Sequence, residues 1–127
     1  MKPIAFAASL VTFAAIALSG CASMQHAPAQ VADGVLVGPN GMTLYTFDKD
    51  TTGNGKSVCN GPCAVNWPPL MANDGAKPMG QYSVVTRDDG KKQWAVNGKP
   101  LYFWAKDAKA GDKTGDGVLG IWHSAKP

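Results

Sequence analysis

The chain has 127 residues, a formal net charge of +3, and 45% hydrophobic residues. This length suits one small domain rather than several. The charge is small and the lysines form no basic run, which excludes a nucleic-acid-binding protein of the usual basic type.

The first twenty residues predict a lipoprotein signal peptide. Lys2 supplies a positive charge, residues 4–18 are apolar, and the segment ends in Leu18-Ser19-Gly20-Cys21. An aliphatic residue and two small residues before a cysteine have the form of a lipobox, and the apolar stretch is short for a membrane-spanning helix. We therefore expect cleavage before Cys21 and lipid attachment to its thiol. An ordinary secretory signal is the simpler alternative.

The segment after Cys21 predicts a tether and then a folded domain. Residues 21–30 are small, polar and proline-containing, which is typical of a flexible linker. Residues 31–127 are expected to form the domain, with repeats at about 31–70 and 82–127. Ala22 gives no reason for retention at an inner membrane. In a Gram-negative host we expect the periplasmic face of the outer membrane, with the membrane contacted through the lipid.

The first half of the domain predicts a hairpin, a cysteine loop and one short helix. Apolar runs flank Gly38-Pro39-Asn40-Gly41, and Asn-Gly is typical of a type I′ hairpin turn. Cys59 and Cys63 form an even pair in an oxidising compartment, so a disulfide is expected. Proline at the first position predicts a helical turn at Pro62–Asn66.

The second half predicts a three-stranded meander and a last strand. Asp89-Gly90 and Asn97-Gly98 are turn dipeptides that separate apolar runs. The predicted strands, in chain order, are Tyr82–Arg87, Lys92–Val96, Lys99–Trp104 and Val118–His123. The sequence therefore predicts a mainly β, antiparallel domain with at most one short helix.

One pattern occurs twice. Gly41 to Asp50 and Gly98 to Asp107 align without a gap, and each copy contains Leu-Tyr, an aromatic residue and Lys-Asp. Two copies of one unit can bury each other's apolar face, so we expect approximate internal two-fold symmetry. Each copy offers a tyrosine, an aromatic residue two positions later and an aspartate; these six residues are Tyr45, Phe47, Asp50, Tyr102, Trp104 and Asp107.

The motif has a structural and a functional interpretation. Side chains alternate in a strand, so Tyr45 and Phe47 share one face, as Tyr102 and Trp104 do. In the structural interpretation the aromatic pairs fill a core and each aspartate accepts backbone N–H groups of the following loop. In the functional interpretation, they form an aromatic-lined ligand surface with paired acids.

The tandem motif resembles a family of predicted bacterial lipoproteins, also described as secreted repeats of unknown function. Tyr45-Thr-Phe47-Asp-Lys-Asp50 and Tyr102-Phe-Trp104-Ala-Lys-Asp107 carry the resemblance. The segment from Cys59 to Leu70, with its Trp-Pro-Pro-Leu end, is similar to the family's segment after the first copy. The resemblance implies a secreted or lipid-anchored β-repeat domain, and it implies no activity.

The weaker signals do not indicate a cofactor. Asp48 and Asp112 begin stretches with some features of a calcium loop, but Cys59 and His123 stand where the twelfth-position glutamate is required. No serine-hydrolase, zinc, P-loop or dinucleotide signature is present. We therefore expect no cofactor and no catalysis.

The sequence thus predicts a lipid-anchored envelope protein that binds or scaffolds through exposed aromatic residues around the repeats, with a protein or a small hydrophobic molecule as its partner. The alternative is a copper-binding or thiol-redox protein that uses Cys59 and Cys63. His123 and Met71 are the candidate additional ligands, since such a site needs a nearby histidine or methionine.

Overall fold

The computed structural model describes residues 26–127. Within this range the chain is mainly β, as the sequence predicts. The strands are β1 (Gln30–Ala32), β2 (Val35–Val37), β3 (Tyr45–Phe47), β4 (Met71–Ala72), β5 (Tyr82–Thr86), β6 (Lys92–Val96), β7 (Lys99–Pro100) and β8 (Trp122–Ser124). One α-helix, α1, spans Pro62–Asn66, and a 3-10 turn occupies Val118–Gly120. No helix in the described range is long and apolar enough to cross a membrane.

All strand pairs are antiparallel. β1 pairs with β2, and β3 pairs with β8. β6 pairs with β5 along one edge and with β4 and β7 along the other. The predicted meander of β5, β6 and β7 is therefore confirmed, as are the helix bounds.

The turns differ in part from expectation. The Asn97-Gly98 turn has φ values of 49° and 79°, as a type I′ turn requires. Asp33 and Gly34 adopt the same conformation and join β1 to β2, a hairpin that the sequence analysis did not predict. At the predicted hairpin turn only Gly41 has a positive φ. The Asn40 side chain instead accepts the Met42 backbone N–H at 3.0 Å, so this turn is not type I′.

Three predicted boundaries shift. The folded part starts before residue 31, because Ala29 is buried in the core and β1 begins at Gln30. Regular pairing of β7 ends at Pro100, and Tyr102 forms isolated bridges. The predicted strand Val118–His123 is divided between the 3-10 turn and β8, since Leu119 takes a left-handed φ of 53° that no strand accommodates.

The repeats interlock about an approximate two-fold axis. β3 of the first repeat pairs with β8 at the end of the second repeat. The equivalent segment of the second repeat pairs back onto the first, since Phe103 N–H donates to the Pro68 carbonyl at 2.7 Å. Each repeat therefore completes the β-structure of the other.

The core divides into two clusters on opposite faces of the motif strands. One is largely aliphatic and contains Ala29, Leu36, Leu44, Leu70, Trp94, Val96, Leu101 and Ala125. The other is aromatic and contains Tyr45, Cys59, Trp67, Tyr102 and Trp122, with Phe47, Cys63, Trp104, Val118 and Ile121 packed against it. The predicted alternation of the motif side chains is therefore observed in both repeats.

Candidate functional site: the paired motif

The two motif tyrosines meet on the approximate two-fold axis. Tyr45 N–H donates to the Tyr102 carbonyl at 2.7 Å, and Tyr102 N–H donates to the Tyr45 carbonyl at 2.9 Å. Both side chains are fully buried. This reciprocal pair joins the two copies of the motif at the tyrosine that both contain.

The tyrosine hydroxyls exchange partners between the copies. Tyr45 Oη donates to Asp107 Oδ2 at 2.6 Å, and Tyr102 Oη donates to Asp50 Oδ2 at 2.5 Å. Each tyrosine therefore bonds to the aspartate of the other repeat. The motif is not two separate sites but one interlocked unit, because each tyrosine hydroxyl finds its carboxylate acceptor in the other copy.

The second oxygen of each aspartate holds the loop that follows its own strand. Asp50 Oδ1 accepts the Val58 N–H at 2.8 Å. Asp107 Oδ1 accepts the Thr114 N–H at 3.0 Å and the Thr114 hydroxyl at 2.6 Å. Each carboxylate thus connects a loop of its own repeat to the tyrosine of the other repeat, because its two oxygens accept from different partners.

Burial raises the pKa values of both tyrosines and of Asp50. Burial, together with the hydrogen bond to Asp107, raises the pKa of Tyr45 above its ordinary value of 10.0. Burial, followed by the hydrogen bond to Asp50, raises the pKa of Tyr102 in the same way. Burial also raises the pKa of Asp50, against the lowering effect of its hydrogen bonds to Tyr102 and Val58. Both phenols are therefore protonated donors at neutral pH.

An aromatic column lies beside the tyrosines. Trp67 and Trp122 stack across the axis with ring centroids 3.8 Å apart. Trp104 stacks on the outer face of Trp67 at 3.9 Å, and Phe47 stacks on Trp122 at 4.0 Å. The column also alternates between repeats, because Trp67 and Trp122 each stack against the motif aromatic residue of the other repeat.

The ends of the column are its accessible parts. Phe47 and Trp104 are half-buried, whereas Trp67 and Trp122 are buried. The Lys106 ammonium lies 5.6 Å from the centroid of a Trp104 ring, within cation–π range. The motif aromatic residues are therefore at most partly exposed. The sequence analysis expected an open aromatic surface for binding, and these residues do not form one.

The cysteine pair is bridged, as predicted. Cys59 and Cys63 form a disulfide with their Cα atoms 5.2 Å apart. Cys59 is fully buried against the aromatic cluster, and Cys63 lies in α1. The bridge therefore ties α1 to the loop whose Val58 N–H is held by Asp50.

A buried arginine, which the sequence analysis did not single out, supports the same loop. Arg87 is 5% exposed and donates to the hydroxyl of Ser57 at 3.0 Å and to Gln93 Oε1 at 2.7 Å. It also donates to the Cys59 carbonyl. Ser57 in turn bonds to the Tyr102 hydroxyl at 2.6 Å. The sequence carries no signal for this network, because Arg87 precedes a surface turn and looks solvent-exposed.

The candidate metal ligands are not gathered into a cluster. His123 Nε2 lies 2.8 Å from Asp48 Oδ2, and both side chains are about half exposed. Met71 lines a different cleft, together with His26 and Trp94. Between residues 26 and 127 no group of three or more histidine, cysteine or acidic residues is placed to hold a metal ion. Cys21, the predicted lipidation site, lies outside the described residues.

Comparison with known proteins identifies the repeats. A family model described as "secreted repeat of unknown function" matches residues 28–71 and 83–126. The chain therefore belongs to this family, as its tandem motif predicts, and the two matches coincide with the two interlocked halves. No curated protein and no solved structure matched the chain.

Proposed function

We propose that this member of the secreted-repeat family is a lipid-anchored domain of the bacterial cell envelope that binds or scaffolds a partner and catalyses no reaction. The observation that carries this proposal is the exchange of tyrosine–aspartate bonds between the repeats. Phenols and carboxylates are common catalytic groups, but here they bond to each other in a buried unit. Their contacts favour a scaffolding role for the motif.

The secreted character of the family supports a location outside the cytoplasm. Cys21 follows an apolar segment and two small residues, which supports lipid attachment at this residue. In the proposed arrangement, the lipid and the short segment after Cys21 hold the interlocked repeats near a membrane, on the periplasmic face of the outer membrane in a Gram-negative host.

The anchor is tested by replacing its thiol. Cells that express the wild-type chain or Cys21→Ala are labelled with an alkyne-bearing fatty acid and separated into membrane and soluble fractions. We expect label and membrane partition for the wild type. Cys21→Ala should carry no label, and it should either appear in the soluble fraction or remain an unprocessed precursor. Cys59→Ala with Cys63→Ala is the matched control, because it removes two cysteines but keeps the lipobox. Unlabelled wild-type protein contradicts the anchor.

The binding role is tested against the copper or thiol-redox alternative. Native mass spectrometry of protein extracted from the envelope reports any bound metal or small molecule, and alkylation without reductant reports free thiols. The bridged and partly buried cysteines favour the binding role, because a buried disulfide is poorly accessible to an attacking thiolate. Stoichiometric copper, or ready labelling of both cysteines, would instead support the alternative.

A further inference from the structure

A polar cleft separates the β3–β8 ribbon from the turn between β6 and β7. Its volume is about 450 Å³, which suits a small molecule. None of the six motif residues lines it. Its lining includes Asp48, Lys99, Asp116, His123, Ser124 and Lys126.

One wall of the cleft is organised by strand register. Thr46 and His123 are directly opposite each other in the β3–β8 pair, so their side chains lie on the same face. Asp48, two residues after Thr46, bonds to His123 through Oδ2 at 2.8 Å. This wall therefore presents a carboxylate that is held in place by the histidine, with Oδ1 not engaged by any described hydrogen bond.

A second carboxylate belongs to the same wall. Asp116 Oδ1 accepts the Ser124 N–H at 2.8 Å and the Ser124 hydroxyl at 3.2 Å. The hydrogen bonds from the Ser124 N–H and hydroxyl, with the nearby Lys126 ammonium, lower the pKa of Asp116 below its ordinary value. Oδ2 has no hydrogen-bond partner in the described part of the chain. The wall thus offers two oriented carboxylate oxygens.

The cleft lining also carries a cation. Lys99 begins β7, directly after the Asn97-Gly98 turn, and its side chain is exposed. Within residues 26–127 its ammonium has neither a hydrogen bond nor an ion pair. The backbone that carries it is fixed, because the Gly98 carbonyl accepts the Gly53 N–H at 2.9 Å. The lining of one cleft therefore combines two carboxylates with the Lys99 ammonium.

We infer that this cleft binds a small zwitterion, a molecule with an ammonium group and an oxyanion group. The ammonium would meet Asp48 and Asp116, and the oxyanion would meet Lys99. A ligand with a single charge leaves either the carboxylates or the Lys99 ammonium unpaired, so the mixed lining discriminates against it. The inference rests on the proposed function only in that both assign a binding role.

Two sources carry this chemistry: a free amino acid or peptide, and the ethanolamine headgroup of a phospholipid. The test uses the mature chain with Cys21→Ala, labelled with ¹⁵N and titrated with L-alanine, D-alanine or phosphoethanolamine. Acetate and ethylamine at matched ionic strength are the single-charge controls. A zwitterion should shift the amide resonances of Asn97, Lys99, Asp116 and His123 saturably, and the single-charge probes should bind about fivefold more weakly.

Matched variants locate the site. Lys99→Gln and Asp48→Asn should each weaken binding about three- to fivefold, the range of a partly exposed charge pair. Lys91→Gln and Asp74→Asn make the same chemical changes on exposed residues outside the cleft, and should leave the affinity unchanged. Equal binding of acetate and alanine, equal losses in the control variants, or no response of cleft resonances to any zwitterion would overturn the inference.

Cosedimentation with vesicles then separates the two sources. Binding to phosphatidylethanolamine vesicles that weakens about three- to fivefold in Lys99→Gln identifies the headgroup. A response to soluble zwitterions without vesicle binding identifies a free ligand, and both results support the site. If the protein is metal-free and disulfide-bridged but no zwitterion shifts the cleft resonances, this inference alone is overturned. Bound copper or free thiols would instead overturn the proposed function.

Discussion

The two copies of the motif make the same central bonds with different surroundings. Tyr45–Asp107 and Tyr102–Asp50 have nearly equal lengths, 2.6 and 2.5 Å. Around Tyr45, the hydroxyl accepts the Gly115 backbone N–H at 3.2 Å. The Tyr102 hydroxyl instead bonds to the side chain of Ser57. The interlocking bond is therefore the shared feature, and the supporting contacts are specific to each repeat.

The supports differ in kind as well as in residue. The first-repeat loop, which follows Asp50, is held by the disulfide and by the buried Arg87 network. The loop after Asp107 is held by Thr114, through its backbone and its hydroxyl. A repeated motif can therefore keep its geometry while the covalent and hydrogen-bonding reinforcement of its two loops differs.

The largest expected effect tests whether the tyrosines are equivalent. Tyr45→Ala and Tyr102→Ala should each destabilise the domain by roughly 3–5 kcal/mol, since a buried aromatic side chain is lost from a core. A domain of this size has only about 5–15 kcal/mol in total, so both variants should be partly or wholly unfolded. Urea denaturation followed by circular dichroism measures the loss.

Tyr82→Ala is the control for this pair, because Tyr82 is only half-buried and lies on the edge strand β5. Its loss should be clearly smaller. If one motif tyrosine is tolerated while the other is not, the two copies are not structurally equivalent.

A smaller effect tests the close approach that is found in only one copy. A Cβ added at Gly115 would lie 2.9 Å from Trp67 Cη2 and from two ring atoms of Tyr45. Gly115→Ala should therefore cost about 1–3 kcal/mol through overpacking. Gly75→Ala is the matched control, since no atom lies within 4 Å of its Cβ and its φ is not positive. Equal melting temperatures for the two variants would contradict the packing around Tyr45.

Double-mutant cycles test the exchange of partners directly. Tyr→Phe removes the hydroxyl donor, and Asp→Asn replaces the charged acceptor with a neutral one, each with little change in volume. Tyr45 with Asp107, and Tyr102 with Asp50, should show coupling free energies of about 0.5–3 kcal/mol. The cycles within one copy, Tyr45 with Asp50 and Tyr102 with Asp107, should be additive within about 0.5 kcal/mol. Stronger coupling within a copy than between copies would disprove the interlocked arrangement.

The smallest expected effect is a pH dependence at Asp50. Burial raises its folded-state pKa above the ordinary value of 3.8, so the folded protein holds this proton more tightly than the unfolded chain. The resulting stabilisation is complete below the unfolded pKa and is lost as the pH rises through the higher folded value. Asp50→Asn should therefore remove a decline in melting temperature above pH 3.8, in the weakly acidic range.

Asp116 supplies a control of opposite sign for this titration. The Ser124 N–H lowers its pKa, so its stabilisation is present above the unfolded value of 3.8 and is lost as the pH falls. In a plot of melting temperature against pH, Asp116→Asn should reduce the loss of stability as the pH falls below 3.8. Asp50→Asn should reduce the loss of stability as the pH rises above 3.8. Superimposable profiles for wild type and Asp50→Asn between pH 3 and 7 would contradict the prediction for Asp50.

The sequence by itself determined the class of fold, the repeat, the helix at Pro62–Asn66, the meander and the disulfide. These features depend on local chemistry: proline at the first helical position, the tolerance of Asn-Gly for positive φ, and two cysteines separated by turn residues. The alternation of side chains in a strand also assigned the motif aromatics to one face and the leucines to the other. Each of these signals lies within a few neighbouring residues.

Only the tertiary structure decided which residues are partners. The sequence predicts that each aspartate holds the loop after its own strand, but not that it also accepts the tyrosine hydroxyl of the other repeat. These hydroxyl bonds run between the repeats because the two motif strands meet antiparallel. Arg87 is buried because Ser57, Gln93 and the Cys59 carbonyl converge on it from distant positions. The cleft at Lys99 and His123 arises in the same way. Such contacts depend on long-range packing, which no local periodicity encodes.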